Sequence, residues 1–344
     1  MGKSTSNYSL VSVIVLCRNE KKFIGKCLKS IIANDYSKDK LEVLVVDGMS
    51  EDGTREIVEN YREKHSYIRL IDNPKKLTPF AFNEGIKNSH GELVIFMSAH
   101  AIYESDYISK SVYHLKKYDA DNVGGMRISL PRNNSRTARA IAYAISHPFA
   151  AGNATYRTGA MEMKWVDTVF GGCYRREIFD KIGFFNEALI RGQDREFNVR
   201  LQRSGGRILF VPNIICHYFV RSDLASYIPW IFIGGLTPIY ISRITKKPIF
   251  SWRNLAPLVF VLVLVVSLFF SLIQILFLWF FLGILATYFV VAIIASITVA
   301  RKERSIQFLA IMPFIFITTH IAYGIGSLLG LFKPVRRHQQ KSKT

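Results

Sequence analysis

Acidic residues are scarce in this sequence: 26 Asp and Glu stand against 45 Lys and Arg, which gives a formal net charge of +19. A positive charge of this size could serve nucleic-acid binding, but no nucleic-acid-binding motif accompanies it, so we expect no nucleic-acid partner. The basic residues cluster beside apolar segments, where they suit anionic lipid headgroups and phosphate-bearing substrates. The charge therefore indicates a membrane surface and a phosphorylated ligand.

Cysteine is sparse as well. The four cysteines are scattered and lack CxxC spacing, which argues against a disulfide scaffold and against a zinc site. They are typical of reduced, buried thiols in a cytosolic domain. Internal repeats and low-complexity tracts are also missing from the sequence. The first ten residues carry no apolar stretch, so we expect no secretory signal peptide.

Long apolar runs are what the C-terminal third does have. Residues 255–300 are almost unbroken Leu, Val, Ile and Phe, enough for two spanning helices of ~20 residues each, and residues 306–332 form a third stretch. Residues 226–241 are apolar but interrupted by proline and glycine, which favours an interfacial helix. We therefore predict four regions: a soluble domain over 1–225, an interfacial amphipathic segment over 226–253, a membrane domain of about three helices over 254–332, and a basic tail over 333–344.

Two buried strands joined by a helix begin the soluble part. The apolar run Val11–Leu16 ends in a polar Arg-Asn-Glu stretch, and the apolar run Leu41–Val46 ends in an acidic loop that contains glycine. In α/β units of this kind the ligand lies beyond the carboxyl ends of the strands. Those ends carry Glu20 and Asp47, so the predicted site presents carboxylates rather than a phosphate-binding glycine loop.

Five motifs in order carry a family resemblance. They read CRNE after the first strand, VVDGMSEDGT, TPFAFNEGI with GELVIFMSAH, VDTVFGGCYRREIF, and GQDREFNVRLQRSGGRI. Together, over roughly residues 9–225, they resemble family 2 glycosyltransferases of the GT-A fold. The VDTVFGG segment and the basic, apolar tail are similar to the branch of the succinoglycan-biosynthesis protein ExoA.

The resemblance implies a fold and a reaction. The fold would be an α/β, mostly parallel sheet with helices on both faces, followed by transmembrane helices. The reaction would be an inverting transfer from a nucleotide-diphospho-sugar, usually a uridine one. The processive signature Gln-x-x-Arg-Trp is missing, because no Trp follows Gln202 at the required place. We therefore expect one sugar to be added to each acceptor.

Site residues follow from the same resemblance. Asp194 matches the aspartate of the family's Glu-Asp catalytic pair and is the predicted general base. The residues expected to bind the donor nucleotide are Glu20, Asp47, Asp52, Asn83 and Ser98. The residues expected to line the substrate pocket are Asp167, Gly171, Gly172 and Gln193. Aspartates at strand ends and helix starts also cap turns and helices, so Asp47 and Asp194 have that structural alternative.

The family's metal-binding Asp-x-Asp has lost both carboxylates and reads Ser98-Ala99-His100 here. We expect a divalent cation, Mg²⁺ or Mn²⁺, that is held mainly by the donor's diphosphate and by His100, with His217 as a possible second ligand. Arg200 and Arg221 are the alternative partners of the diphosphate, because arginine suits bidentate phosphate binding. Residues 136–158 are expected to form a basic loop over the acceptor.

The predicted function is transfer of one hexose from a nucleotide-sugar, with UDP-sugar expected, to a polyprenyl-diphosphate-linked saccharide in exopolysaccharide or capsule biosynthesis. The alternatives are a polyprenyl-phosphate sugar synthase and a non-catalytic, nucleotide-sugar-binding membrane partner. The expected partners are the donor, the polyprenyl-linked acceptor and membrane lipids. We expect a multi-pass protein of the inner (plasma) membrane with its catalytic domain in the cytoplasm. The sequence carries no signal for an oligomeric state.

Overall fold

The structure, a computed structural model, divides the chain into two compact units. It describes residues 8–152, 154–189, 191–246 and 252–334. The first unit comprises Met1–Ile128 and Gly159–Phe219, and the second comprises Ser129–Thr158 and Val220–Thr344. The sequence predicted one domain over 1–225. The structure instead groups residues 129–158, and those from 220 onwards, with the apolar C-terminal helices.

Nine strands in the described residues form one sheet. In chain order they are β1 (Val11–Cys17), β2 (Leu41–Asp47), β3 (Ile68–Asp72), β4 (Leu93–Ser98), β5 (Ala101–Tyr103), β6 (Asn122–Pro131), β7 (Lys164–Trp165), β8 (Cys173–Arg175) and β9 (Ile208–Val220). The spatial order is β3-β2-β1-β4-β8-β6-β9-β5, and β7 pairs with β9. Strands β3, β2, β1 and β4 are parallel, whereas β8 is antiparallel to both β4 and β6. The predicted α/β sheet is confirmed, as a mixed sheet with a parallel half.

Helices alternate with these strands and then follow them. In chain order they are α1 (Ile24–Ile32), α2 (Thr54–Arg62), α3 (Thr78–Lys87), α4 (Tyr107–Lys117), α5 (Arg136–Ser146), α6 (Pro148–Ala151), α7 (Thr155–Thr158), α8 (Glu177–Ile182), α9 (Gln193–Arg203), α10 (Leu224–Thr245), α11 (Trp252–Ser271), α12 (Ile275–Glu303) and α13 (Phe308–Phe332). A 3₁₀ turn, Lys38–Lys40, precedes β2.

Strand β1 is apolar on both faces because helices cover both. On one face Val13 and Val15 belong to a core that includes the buried residues of α1. On the other face Ile14 meets α3, where a Cβ on Gly85 would lie 2.4 Å from the Ile14 side chain. Glycine therefore lets α3 approach the sheet closely. Each buried Val or Ile contributes roughly 1.5–3 kcal/mol to the stability of this layer.

The parallel register brings four strand ends to one edge. Cys17 of β1 pairs with Asp47 of β2, Asp47 pairs with Asp72 of β3, and Leu16 pairs with Ser98 of β4. The loops that follow these residues therefore leave the sheet side by side. This edge is where ligands bind in open α/β sheets.

The second unit contains four helices long and apolar enough to cross a membrane. They are Leu224–Thr245, Asn254–Ser271, Ile275–Glu303 and Phe308–Phe332. The sequence predicted about three, because two prolines interrupt residues 226–241. The structure instead has one 22-residue helix there, α10, which continues through both prolines. Residues 247–251 of the predicted interfacial segment and 335–344 of the predicted basic tail lie outside the described residues.

Helices α10 and α13 run in the same direction. Tyr227 Oη contacts Thr319 Oγ1 at 2.8 Å towards the start of α10, and Arg243 Nη1 donates to Lys333 O at 2.8 Å towards its end. Four successive spans would make the first and the fourth antiparallel. At least one of the four helices is therefore not a full span. The interfacial placement of residues 226–253 stays a prediction.

The described part of residues 136–158 contains the three helices α5, α6 and α7, where a loop was predicted. Ser135 Oγ accepts a hydrogen bond from Ala138 N at 3.1 Å and so caps the start of α5. On α5, Arg139 pairs with Glu303 at 2.5 Å and stacks on the Phe308 ring at 5.5 Å. Its guanidinium therefore already has its interaction partners within the second unit.

Glycines make the contact between α10 and α13 a backbone-to-backbone one. A Cβ on Gly235 would lie 2.0 Å from Tyr323 O, and a Cβ on Gly326 would lie 2.0 Å from Phe232 O. Carbonyl oxygens of a helix cannot move aside as a side chain can. Small residues at such positions allow the close approach on which helix association in apolar surroundings depends.

We expect Gly326→Val to lower the free energy of unfolding of the purified protein by about 1–3 kcal/mol or more, because the added carbons overlap the α10 backbone. Its melting temperature should fall accordingly. Gly283→Val on α12 is the matched control, since nothing lies within 4 Å of its Cβ position. Melting curves in one detergent compare the two variants. Equal melting temperatures for both would show that the close contact does not limit stability.

Candidate active site

A cavity of about 330 Å³ lies at the carboxyl ends of β1 and β4 in the first unit. Its volume is in the range of small-molecule sites. The polar residues that line it include Arg18, Glu20, Lys76, Ser98, His100 and Asp194, and its aromatic wall includes Phe82, Phe96, Phe170, Tyr174 and Phe185. Four of the predicted site residues, Glu20, Ser98, His100 and Asp194, are thus brought to one cavity, and Gly171 joins them.

The Asp47 carboxylate is fully buried and fully engaged. Its Oδ2 accepts hydrogen bonds from Ser50 N at 2.8 Å and from Arg55 Nη1 at 2.9 Å, and its Oδ1 accepts from Ser50 Oγ at 2.5 Å. Burial alone would raise the pKa of Asp47, but the hydrogen bonds from Ser50 and Arg55 outweigh it and lower that pKa. Asp47 does not line the cavity, and it fixes the loop after β2; its role towards the nucleotide stays a prediction.

Arg55 is a residue that sequence reasoning missed. Its guanidinium bridges two strand ends, since Nη1 pairs with Asp47 and Nη2 pairs with Asp72 at 2.8 Å. Both carboxylates end neighbouring strands, so the bridge also ties β2 to β3. The available signal was a basic residue in the first turn of α2, directly after the acidic loop.

Asp52 joins the loops after β1 and β2. Its Oδ2 accepts from Lys21 N at 3.1 Å, and its Oδ1 accepts from Thr54 N at 3.0 Å. Thr54 Oγ1 in turn accepts from Glu20 N at 2.8 Å. These bonds set the position of the Glu20 backbone. The structure therefore gives Asp52 a part in shaping the site, and Asp52 does not line the cavity.

We expect Arg55→Met to destabilise the protein by about 2 kcal/mol, because it leaves the Asp47 carboxylate buried without its cation. Arg62→Met on the same helix is the control, since Arg62 makes an exposed pair with Glu59. Urea denaturation followed by fluorescence measures both. A loss for Arg55→Met no larger than that for Arg62→Met would contradict the structural role of the bridge.

Asn83 and the two glycines shape the walls of the first unit. Asn83 Nδ2 donates to Phe185 O at 3.0 Å and to Glu187 Oε1 at 2.9 Å, which anchors the segment after α8. Gly171 and Gly172 have φ of +65° and +101°. A Cβ on Gly171 would lie 2.5 Å from a carbonyl oxygen of β4. The glycines thus let their loop approach the sheet. Gly171 also lines the cavity, and the place of both glycines in a substrate pocket stays a prediction.

Asp194 lies in the first turn of α9 and lines the cavity. Gly192 supplies the left-handed residue that precedes the helix, with φ of +77°. Asp194 Oδ1 accepts from Arg195 N at 2.8 Å, and its side chain is exposed to solvent. Its neighbour Gln193 is buried, and Asp167 is exposed; neither lines the cavity.

Three other predicted residues do not line the cavity. Arg200 donates to Phe184 O at 2.8 Å and pairs with Glu196 at 3.1 Å, so it fixes the turn after α8. His217 pairs with Glu104 at 2.9 Å. It lies on β9, where successive side chains point to opposite faces, so it cannot share a site with the partner of its neighbour Tyr218. Arg221 is exposed and belongs to the second unit.

His100 is held between two side chains. Its Nδ1 lies 2.7 Å from Glu20 Oε1, an ion pair by distance although the ring N–H is not aligned for a hydrogen bond. Its Nε2 lies 2.7 Å from Tyr218 Oη, and the two rings meet edge to face at 4.7 Å. Tyr218 reaches this point because β5 pairs with β9, with Ala101 opposite Tyr218.

Comparison with known proteins decides which family this geometry belongs to. The profile described as glycosyl transferase family 2 matches residues 12–183, which is half of the chain. The chain belongs to glycosyl transferase family 2. The predicted membership is therefore confirmed, and the matched residues include β1 to β4 and most of the cavity lining.

Relatives and a solved structure extend this finding. The chain is 28% identical to the dolichyl N-acetyl-alpha-D-glucosaminyl phosphate 3-beta-D-2,3-diacetamido-2,3-dideoxy-beta-D-glucuronosyltransferase of Methanococcus voltae, over 94% of this chain and 98% of that protein. It is 26% identical to succinoglycan biosynthesis protein ExoA of Rhizobium meliloti, over 67% and 68%. The mannosyltransferase PcManGT of Pyrobaculum calidifontis, solved with GDP-Man and Mn²⁺, superposes with a TM-score of 0.58 at 20% identity, covering 95% and 88%. This likeness confirms the GT-A fold.

The side chains at the family's Asp-x-Asp position do not fit a metal ion. Burial lowers the pKa of His100, but Tyr218 and Glu20 outweigh it and raise that pKa from 6.5 to about 9. Both ring nitrogens of His100 also have a partner already, Nδ1 beside Glu20 and Nε2 beside Tyr218, so neither is free to bind a metal ion. Groups of three or more His, Cys, Asp or Glu side chains that could hold a metal are also absent from the described part of the chain.

The raised pKa predicts how stability depends on pH. The contribution of His100 is fully present below its unfolded pKa of 6.5 and is lost as pH rises through about 9. We expect the difference in melting temperature between the wild-type chain and His100→Gln to shrink from about pH 7 to about pH 10. Melting curves of both proteins at each pH test this. A difference that stays constant would mean that His100 does not lose a stabilising proton in that range.

Proposed function

We propose that this protein is an inverting, membrane-bound glycosyltransferase that moves one sugar, a hexose, from a nucleotide-diphospho-sugar to a polyprenyl-linked saccharide. The observation that carries the proposal is the presence of Asp194 in the same cavity as Glu20 and Ser98, at the carboxyl ends of β1 and β4. A nucleotide-sugar donor accords with the family and with the GDP-Man bound to PcManGT. UDP-sugar remains the donor that we propose from the sequence.

The proposed chemistry is a direct displacement. The acceptor hydroxyl oxygen attacks the anomeric carbon of the donor, and the Asp194 carboxylate takes the hydroxyl proton. The bond from the anomeric carbon to the diphosphate oxygen breaks, and the nucleoside diphosphate leaves with the electron pair. One attack from the opposite side of the sugar inverts the anomeric centre. We propose no role for the expected Mg²⁺ or Mn²⁺ in this displacement, because His100 does not fit metal binding.

The acceptor proposal depends on the relatives. The name of the Methanococcus voltae protein specifies a dolichyl-linked sugar phosphate as its acceptor, and that protein aligns with 94% of this chain. The apolar helices of the second unit give this chain a means of residing in the bilayer, where a polyprenyl carrier is dissolved. We propose a saccharide on a polyprenyl phosphate or diphosphate, assembled for an exopolysaccharide or a capsule, as the likeness to ExoA suggests.

The proposed cellular location draws on the same apolar helices. A chain with four long apolar helices is a membrane protein. We propose the plasma membrane, with the catalytic unit in the cytoplasm, where nucleotide-sugars are made. The buried cysteines of the first unit, Cys17, Cys27, Cys173 and Cys216, are unpaired thiols, which suits a reducing compartment.

We expect Asp194→Asn to reduce sugar transfer by about 10²-fold or more, because the amide cannot accept the proton of the acceptor hydroxyl. Nucleotide binding should be retained, since the amide is close in size and shape. Membranes that contain the protein are incubated with UDP-sugars and lipid-linked acceptors, and released UDP is measured. Asp180→Asn on the neighbouring helix α8 is the matched control.

Full activity in a correctly folded Asp194→Asn variant would contradict the assignment of the base. Transfer to the lipid phosphate alone, without an attached sugar, would identify a polyprenyl-phosphate sugar synthase. The absence of any released UDP or GDP across donors, despite nucleotide binding, would identify the non-catalytic alternative.

A further inference from the structure

The ring nitrogens of His100 are not free to bind a cation. Nδ1 lies 2.7 Å from the Glu20 carboxylate, with which it forms an ion pair by distance. Nε2 lies 2.7 Å from Tyr218 Oη. Both ring nitrogens therefore already have a partner. A metal ion could bind His100 only if one of these two contacts were broken.

The carboxylates that line the cavity also have roles other than metal binding. Of the described residues that line the cavity, Glu20 and Asp194 carry carboxylates. Glu20 is engaged by His100, and Asp194 needs a lone pair for the acceptor proton if it is the base. Mg²⁺ and Mn²⁺ prefer oxygen ligands, and above all carboxylates. The donor set of this cavity is therefore poor for the ions that the family uses.

Two cationic side chains line the same cavity, and a third lies against the Tyr218 ring. Arg18 and Lys76 line it, and Arg18 Nη1 donates to Lys76 O at 3.3 Å, which keeps the two residues together. Arg127 is 3% exposed, and its guanidinium lies 4.7 Å from the centre of the Tyr218 ring, whose hydroxyl contacts His100. A diphosphate in this cavity would meet positive charge that the protein itself supplies.

We propose that His100, together with Arg18 and Lys76, which line the same cavity, takes the place of the family's metal ion in binding the donor diphosphate, so that nucleotide binding requires no divalent cation. The inference rests on the proposed function, because it takes this cavity as the donor site. The carboxylates of an Asp-x-Asp recruit a cation, whereas here the protein itself supplies the cationic side chains that line the cavity. Glu20 and Tyr218 are then positioning residues that hold the ring at the cavity.

The test measures nucleotide binding by the full-length protein in detergent. UDP and GDP are titrated into the wild-type chain by calorimetry, once with EDTA and once with Mn²⁺ in excess. We expect the affinities in the two buffers to agree within about threefold for the nucleotide that binds. His100→Asp should lose about tenfold or more in EDTA, and Mn²⁺ should restore binding, because Asp beside Glu20 makes a pair of carboxylates.

Two further variants keep the test decisive. His90→Asp is the matched control: His90 pairs with Glu42 at 3.2 Å on the surface, so this variant also places two carboxylates together, but away from the cavity. Its nucleotide affinity should stay unchanged in both buffers. His100→Gln removes the imidazole and adds no carboxylate. It should bind more weakly in EDTA and gain nothing from Mn²⁺, and it serves if His100→Asp fails to fold.

Three results would overturn the inference. Wild-type binding that appears only with Mn²⁺, or strengthens about tenfold in its presence, would assign the charge to a metal ion. Unchanged affinity of His100→Gln in EDTA would remove His100 from the donor site. Failure of both nucleotides to bind in either buffer would contradict the proposed function itself, and the inference with it. Metal-dependent binding, in contrast, would leave the proposed function intact.

Discussion

The buried Asp47 carboxylate is the constraint on which the site depends. It has no exposed surface, so its charge is stable only while Ser50 and Arg55 donate to it. These bonds leave the loop after β2 with one favourable shape. That loop carries Thr54, whose hydroxyl accepts from the Glu20 backbone, and the Glu20 side chain meets His100. A carboxylate outside the cavity thus determines the position of a charge inside it.

Short-range sequence patterns were sufficient to predict the individual strands and helices at the start of the first unit. Apolar runs and helical spacing were sufficient for β1, α1 and β2, and the rule that ligands bind at strand ends placed Glu20 at the cavity. Asp194 was identified from the family resemblance, because its motif matches the Glu-Asp catalytic pair. The partners of these residues could not be predicted in this way. Tyr218 contacts His100 from 118 positions away, and this pairing depends on the register of β5 and β9.

Alternation along one strand explains a predicted ligand that the structure did not bring to the cavity. His217 and Tyr218 are neighbours in sequence, and either could have been chosen as the partner of a residue near the strand end. Only the register shows which of the two faces His100. Similarly, the bridge made by Arg55 requires knowing that β2 and β3 are adjacent and in step. The sequence shows which residues are present, whereas the order and register of the strands determine which of them are in contact.

The parallel contact of α10 and α13 has a consequence for biosynthesis. α10 leaves the ribosome well before α13, and at about 5–20 residues per second the delay is on the order of ten seconds. During that time the glycine-lined face of α10 lacks the helix against which Gly235 packs. The contact between α10 and α13 therefore cannot form until α13, the last of the described helices, has been translated.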